Sequence, residues 1–203
     1  MILQALNELY QRKCTDPDPA RRLPPFGFEE KQIPFVIEIH ADGDLVQIKD
    51  TRETVGERKV GRSFLVPHGV KTSGVAANLL WDTAEYVLGV DTKRKPDRIA
   101  KQHAAFVARL AELPAEARGD PGVQAVCAFL AKLPRNALRR QPVWEEICRD
   151  NPLVSFQLWG DLELVCQRPA VTRHVVPASD DDPTGVCLIT GQTAPIERLH
   201  TAI

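Results

Sequence analysis

Asp42-Gly43-Asp44 stands between two strand-like runs, Ile33–His40 and Leu45–Lys49. Glycine tolerates positive φ and the flanking aspartates favour a tight turn, so the triplet predicts a β-hairpin. That hairpin commits the early part of the chain to a sheet. Upstream, Ile2, Leu3, Leu6, Leu9 and Tyr10 fall at helical spacing over residues 2–12. Four prolines within Thr15–Pro25 end that helix in a loop. Downstream, Val60–Val66 predicts a third strand. Val75–Val87 predicts a helix with Thr72 or Ser73 as its N-cap.

After Asp91 the pattern turns helical. Pro96 opens a helix through Leu113, and Asp120 with Pro121 opens another through Leu133. A third helix, Pro142 to Arg149, follows the basic run Arg135–Arg140. From Leu153 β patterning returns in VSFQLWGD, LELVCQ and VTRHVV; Asp180–Pro183 reads as a polar turn, and the tail GVCLITGQTAPIERLHTAI as a strand followed by a loop. The order predicts an α+β fold: mixed, mainly antiparallel strands at both ends with a helical middle segment. Residues 1–203 are read as one N-terminal domain, strand-rich over 1–91, helical over 92–150 and strand-rich again over 151–203. The chain reaches Ile203 on an apolar–polar run with no stop signal, so it is expected to be a piece of a longer protein. Trp81, Trp144 and Trp159 occupy apolar positions and are expected in the core, with Trp81 anchoring its helix to the sheet.

Composition excludes several classes. No apolar run approaches the ~18 residues of a membrane span. The start, MILQALNELYQR, has no basic stretch ahead of its apolar residues and no small-residue cleavage site, so it is not a signal peptide. The five cysteines (Cys14, Cys127, Cys148, Cys166 and Cys187) are odd in number, widely spaced and without a CxxC. That argues against a disulfide framework and a four-ligand zinc site, and for a reducing, cytoplasmic setting. With 26 Lys and Arg against 27 Asp and Glu, there is no global pull toward nucleic acid, so any such surface must come from local clustering.

The stretch Gly61–Asp91 holds the best candidate for chemistry. Its loop, His68-Gly-Val-Lys-Thr-Ser-Gly74, combines small residues, hydroxyls and one cation. Gly69, Gly74, Thr72 and Ser73 let backbone N–H groups approach a phosphate, Lys71 supplies charge, and Asn78 can reach a base edge or a phosphate. It is not a nucleotide-binding P-loop, because Val70 separates Gly69 from Lys71. The plain alternative is a strand-to-helix turn with an N-cap.

Basic residues cluster in three places: Lys49, Arg52, Arg58, Lys59 and Arg62; then Lys93, Arg94, Lys95, Arg98 and Lys101; then Lys132, Arg135, Arg139 and Arg140. On one face they would track a phosphate backbone; taken singly, each is ordinary solvated charge. Cations at a helix N-terminus oppose its dipole, which favours a role for the 93–98 group. No histidine pairs with another His, Cys or acid at a ligand spacing. His174 with Cys187, or Cys187 with His200, could meet in space, but a lone His or Cys is more often packed or surface. Asp180–Asp182 reads as a solvated turn rather than a cation site. Nothing forms a nucleophile–base–orienter set, so neither enzyme activity nor a cofactor is expected.

Three segments, MILQALNELYQR, VPHGVKTSGVAANLLWDTAEYVLGVD and CLITGQTAPIERLH, together resemble one family. It is the N-terminal part of the large subunit of the type I-C CRISPR surveillance complex (Cascade). The resemblance runs along essentially the whole chain. It implies a non-cutting subunit that recognises a short duplex motif beside the target, the PAM, and helps open the duplex for guide RNA pairing. It implies double-stranded DNA, CRISPR RNA, the other Cascade subunits and a recruited helicase-nuclease as partners. On that reading Lys71, Thr72, Ser73, Gly74 and Asn78 form the PAM loop. Lys49, Arg52, Arg58, Lys59, Arg62, Lys93 and Arg94 hold flanking phosphates. The competing expectations are a scaffold that binds the other subunits and the guide's 5′ end without reading the PAM and, behind it, a metal nuclease or Cys hydrolase.

Overall fold

The computed structural model describes residues 2–69, 74–175, 184–187 and 189–195. The chain divides into two compact units, Gly27–Val175 and a second built from Met1–Phe26 with Val176–Ile203. The second unit contains α1 (Ile2–Cys14), close to the predicted helix. The proline-rich stretch folds back on it: the Leu23 N–H donates to the Lys13 carbonyl at 3.0 Å and the Tyr10 hydroxyl to the Pro24 carbonyl at 3.2 Å.

The larger unit begins with β1 (Phe28–Gln32), β2 (Phe35–Ile39) and β3 (Leu45–Asp50), followed by the small hairpin β4 (Glu53–Val55) and β5 (Arg58–Val60), then β6 (Ser63–Pro67). Next come β7 (Trp81–Thr83), α2 (Ala84–Leu88), α3 (Pro96–Ala111), α4 (Ala115–Arg118), α5 (Pro121–Lys132), α6 (Arg135–Arg139) and α7 (Trp144–Asp150). It closes with β8 (Leu153–Leu158) and α8 (Pro169–Thr172). Beyond it, β9 (Thr184–Val186) and β10 (Thr193–Pro195) pair antiparallel in the second unit. Strands and helices mix in one sheet-and-helix core, which is the expected α+β class.

The central sheet has the order β3-β2-β8-β7. β2 is buried along its whole length and lies antiparallel to β3 and parallel to β8, with Ile37 opposite Phe156. A parallel neighbour demands a crossover, and the helical middle of the chain supplies it. α3 and α5 place Phe106 and Phe129 against Phe156, with ring centroids 6.4 and 5.7 Å away. These buried rings make the centre of the core.

The predicted hairpin forms as read. Gly43 takes φ +84, and a Cβ there would lie 2.5 Å from the Phe129 backbone nitrogen, so glycine is required both for the turn and for the approach of α5. Asp120 caps α5 by accepting from the Gly122 N–H at 2.8 Å, and Pro121 occupies the first turn.

Four expectations need correction. Residues 75–80 are not helical: Leu80 has φ 63 and is fully buried, and a left-handed residue breaks a helix. Trp81–Thr83 then pairs with β8 as an edge strand, and only Ala84–Leu88 is helix. LELVCQ is a loop ending in a 3-10 turn, Val165–Gln167, in which the Gln167 side chain accepts the Leu164 N–H at 2.8 Å. Residues 171–175 of VTRHVV lie in α8 and a turn, not in a strand; Val176 falls outside the described residues. Trp159 is 54% exposed and packs edge-on to His40 rather than in the core.

Candidate nucleic-acid interface

The β6–β7 connection leaves the core from a closely tied root. Trp81 is buried, and its indole N–H donates to the Pro67 carbonyl at 2.9 Å, joining the two ends of the connection. The Gly69 N–H donates to Glu29 Oε1 at 2.7 Å, and the His68 N–H to the Gly27 carbonyl at 2.8 Å. On the far side, buried Asp82 accepts from the N–H groups of Asn78 at 3.0 Å and Thr83 at 2.7 Å. Burial pushes the Glu29 carboxyl up, but Lys31 at 2.8 Å and the Gly69 N–H outweigh it and hold the group below the usual range. Glu29 is therefore ionised and hydrogen-bonded at neutral pH.

Lys71, Thr72 and Ser73 fall outside the described residues, so the expected N-cap and the tip of the loop are not assigned a conformation. Gly74 has φ +76, is exposed, and has open space where a Cβ would sit. Asn78 differs from its expected role. It is 5% exposed, and its Oδ1 is buried without a hydrogen-bond partner among the described residues. A Cβ on Gly69 would come within 3.3 Å of that oxygen, so the amide faces inward under the loop. As placed, Asn78 supports the root and does not reach outward.

The cations of the first basic cluster divide sharply. Arg52 has a side chain only 11% exposed; it bridges Asp50 at 2.7 Å and Glu146, and lies over the Phe35 ring at 4.6 Å. The hydrogen bonds it donates to Asp50 and then to Glu146 raise its pKa further. Lys49 is half-buried, pairs with the buried Glu38 and donates to Gln157 at 2.9 Å. By contrast, Arg58 and Lys59 lie exposed on β5 and form no ion pair among the described residues. Arg62 is exposed and packs its guanidinium over Phe64 at 5.3 Å. Lys93 is exposed and 3.5 Å from the buried Glu85, and Arg94 is exposed at φ 54 with no ion pair among the described residues.

A family model described as CRISPR-associated protein (Cas_Csd1) matches residues 6–203. The chain belongs to this family. No curated protein matches it significantly. Membership assigns a role in CRISPR–Cas defence. Among the described residues of this Csd1-family chain, no helix is long and apolar enough to cross a membrane. No group of three or more His, Cys, Asp or Glu among them is placed to hold a metal. Asp180–Asp182 and His200 fall outside the described residues.

The sequence reading missed Glu29 and Asp82, which do much of the work of fixing the loop root. Glu29 meets Gly69 across the β1–β6 pair, a contact no local pattern announces. Asp82 follows Trp81 in a stretch read as helix, where an acid looks like solvated surface.

Proposed function

We propose that this chain is the DNA-reading part of a type I-C CRISPR effector's large subunit, recognising the PAM in double-stranded DNA and helping to start R-loop formation. In this reading it cuts nothing and works in the cytoplasm beside CRISPR RNA, the other Cascade subunits and a recruited helicase-nuclease. The observation that carries it is the β6–β7 root. Glu29, Pro67, Trp81 and Asp82 fix both ends of a connection whose sequence between them contains Lys71, Thr72 and Ser73. A reader needs such a base, since positioning error weakens groove contacts. Lys71 with the hydroxyls supplies donors suited to base-edge acceptors, and the degenerate minor groove suits a tolerant reader. Arg58, Lys59, Arg62, Lys93 and Arg94 supply cations for flanking phosphates, which position the duplex without reading it.

The test is binding of the assembled effector to a duplex library randomised beside the target, with wild-type chain and with Lys71→Ala. A base contact predicts a loss of about 1–3 kcal/mol confined to preferred motifs. A phosphate contact predicts a uniform loss and a shallower salt dependence. Unchanged affinity and preference at every salt concentration would refute the loop as reader.

A second reading, a scaffold that holds the other subunits and the guide 5′ end without reading the PAM, draws on one observation. Arg52 and Lys49 are neutralised by internal carboxylates, which thins the available basic surface. It predicts lost assembly, with motif preference intact in whatever complex forms.

A further inference from the structure

Away from the β6–β7 loop, α2, α3 and α6 line an open cleft of about 400 Å³, bordered by Gly89, Asp91, Pro96, Ile99, His103 and Arg135, among others. Its volume lies within the range of small-molecule sites. Gly89 ends α2 in the left-handed region at φ +59. A Cβ built on Gly89 would lie 3.4 Å from an Arg135 guanidinium nitrogen and 3.4 Å from His103 Cγ. The missing side chain is thus what leaves space where these two groups converge.

His103 is held in a defined state. Its Nδ1 lies 2.9 Å from the Tyr86 carbonyl oxygen, which can only accept, so the ring donates from Nδ1 and Nε2 remains for another partner. Arg135 is exposed and forms no ion pair among the described residues, so its guanidinium is available to an anion. Asp91 also lines the cleft; its carboxylate accepts from the backbone N–H groups of Lys93 at 3.2 Å and Lys95 at 3.0 Å. The other walls, Pro96, Ile99, Ala100 and Ala104, are apolar. Lys93, Arg94, Lys95 and Arg98 stand exposed on the segment that borders them.

We propose that this cleft holds one unpaired nucleotide of a single strand, its phosphate on Arg135, its base against the apolar wall and the guanidinium plane, and His103 Nε2 left to accept from the N–H edge of that base. The inference rests on reading the chain as a nucleic-acid binder, and adds a site separate from the loop. A stacked, paired base cannot enter a concave pocket of this kind, whereas a base freed from its partner presents a flat apolar face to it. The cations on the lip then follow the strand's neighbouring phosphates.

The test compares affinity for a short fluorescent oligothymidine with affinity for its duplex with oligoadenosine, by anisotropy, for the wild-type chain, Arg135→Gln and Ala100→Trp. Both altered side chains are exposed, so the fold is retained. Arg135→Gln weakens single-strand binding about ten-fold and duplex binding less than about two-fold, the scale of one charge-assisted contact. Ala100→Trp fills the wall and does the same. In a second measurement, 4-thiothymidine in the strand cross-links to peptides of α3. Equal loss for strand and duplex, cross-links elsewhere, or no strand binding by the wild type overturns the cleft. None of these outcomes touches the loop, which the randomised duplex library tests separately; loss of motif preference with Lys71→Ala can stand while the cleft falls.

Discussion

The root of the β6–β7 connection and the tip of the β4–β5 hairpin are both polar stretches near strand ends, yet they are built in opposite ways. At the root, Trp81 and Asp82 are almost wholly buried, and their polar groups are tied to Pro67, Asn78 and Thr83. At the tip, Arg58 and Lys59 are exposed and unpaired among the described residues. Arg52, just before that hairpin, follows the first pattern: its charge is spent inside the protein on Asp50 and Glu146. Density of cations in the sequence therefore overstates the surface available to a polyanion. What separates a structural cation from a binding one is whether a carboxylate from elsewhere in the fold reaches it and the cation is also withdrawn from solvent, as Arg52 is and Lys93 is not.

The root should give the largest response. Trp81→Ala removes a buried indole and leaves the Pro67 carbonyl without its donor, with an expected loss of about 3–5 kcal/mol in urea unfolding. Trp81→Phe keeps most of the packing and loses the hydrogen bond, with an expected cost of about 1 kcal/mol beyond the volume change. If both variants unfold like wild type, the root is not the rigid base that the comparison assigns to it.

Much of this was legible in sequence. β2, β3 and β8 fall within the runs read as strands, the Asp42-Gly43-Asp44 turn forms, and Pro96 and Asp120-Pro121 open α3 and α5. The failures share a cause. Over 75–87 the apolar residues are dense enough to satisfy a helical pattern, but Trp81 is recruited by the free edge of β8, a partner far away in the chain. At Leu162, 93% exposed, an apolar residue simply faces solvent, and LELVCQ loses its claim to be a strand. Likewise Arg52 and Arg58 carry the same charge in neighbouring segments; Asp50 and Glu146, the latter supplied by distant α7, separate their roles.

Arg52 gives the next effect. Arg52→Met keeps the stem over Phe35 and removes the two ion pairs. Its partners Asp50 and Glu146 are about one-third exposed, so water can solvate them once the cation is gone. The expected loss is therefore about 2 kcal/mol, below the value for a stranded buried charge. DNA affinity should not change, because this charge is already neutralised; a fall as large as that for a free cation would break the distinction.

The same pair predicts a pH signature. Hydrogen bonds from Arg52 hold the Asp50 and Glu146 carboxyls below their usual values. Their unfolded values are about 3.9 and 4.3, so the stabilisation is present above that range and is lost as pH falls through the lower folded values. The stability gap between wild type and Arg52→Met should thus be widest near neutrality and close in acid. Glu29, depressed through Lys31 and the Gly69 N–H, is intact in both proteins and adds an acid loss common to the two. A gap independent of pH would remove the carboxylates from the account of Arg52.

The smallest stability effect, and the cleanest use of the comparison, belongs to the hairpin tip. Arg58→Ala with Lys59→Ala removes two exposed cations that form no ion pair among the described residues, so the unfolding free energy should stay within about 0.5 kcal/mol of wild type. If both touch phosphates, the slope of log affinity against log salt on duplex DNA becomes shallower by about 2, and the loss is the same for every motif. An unchanged slope would make these charges ordinary solvated surface and shift the phosphate contacts to Arg62, Lys93 and Arg94. A loss confined to particular motifs would instead make the tip a second reader, and exposure alone would no longer separate positioning residues from reading ones.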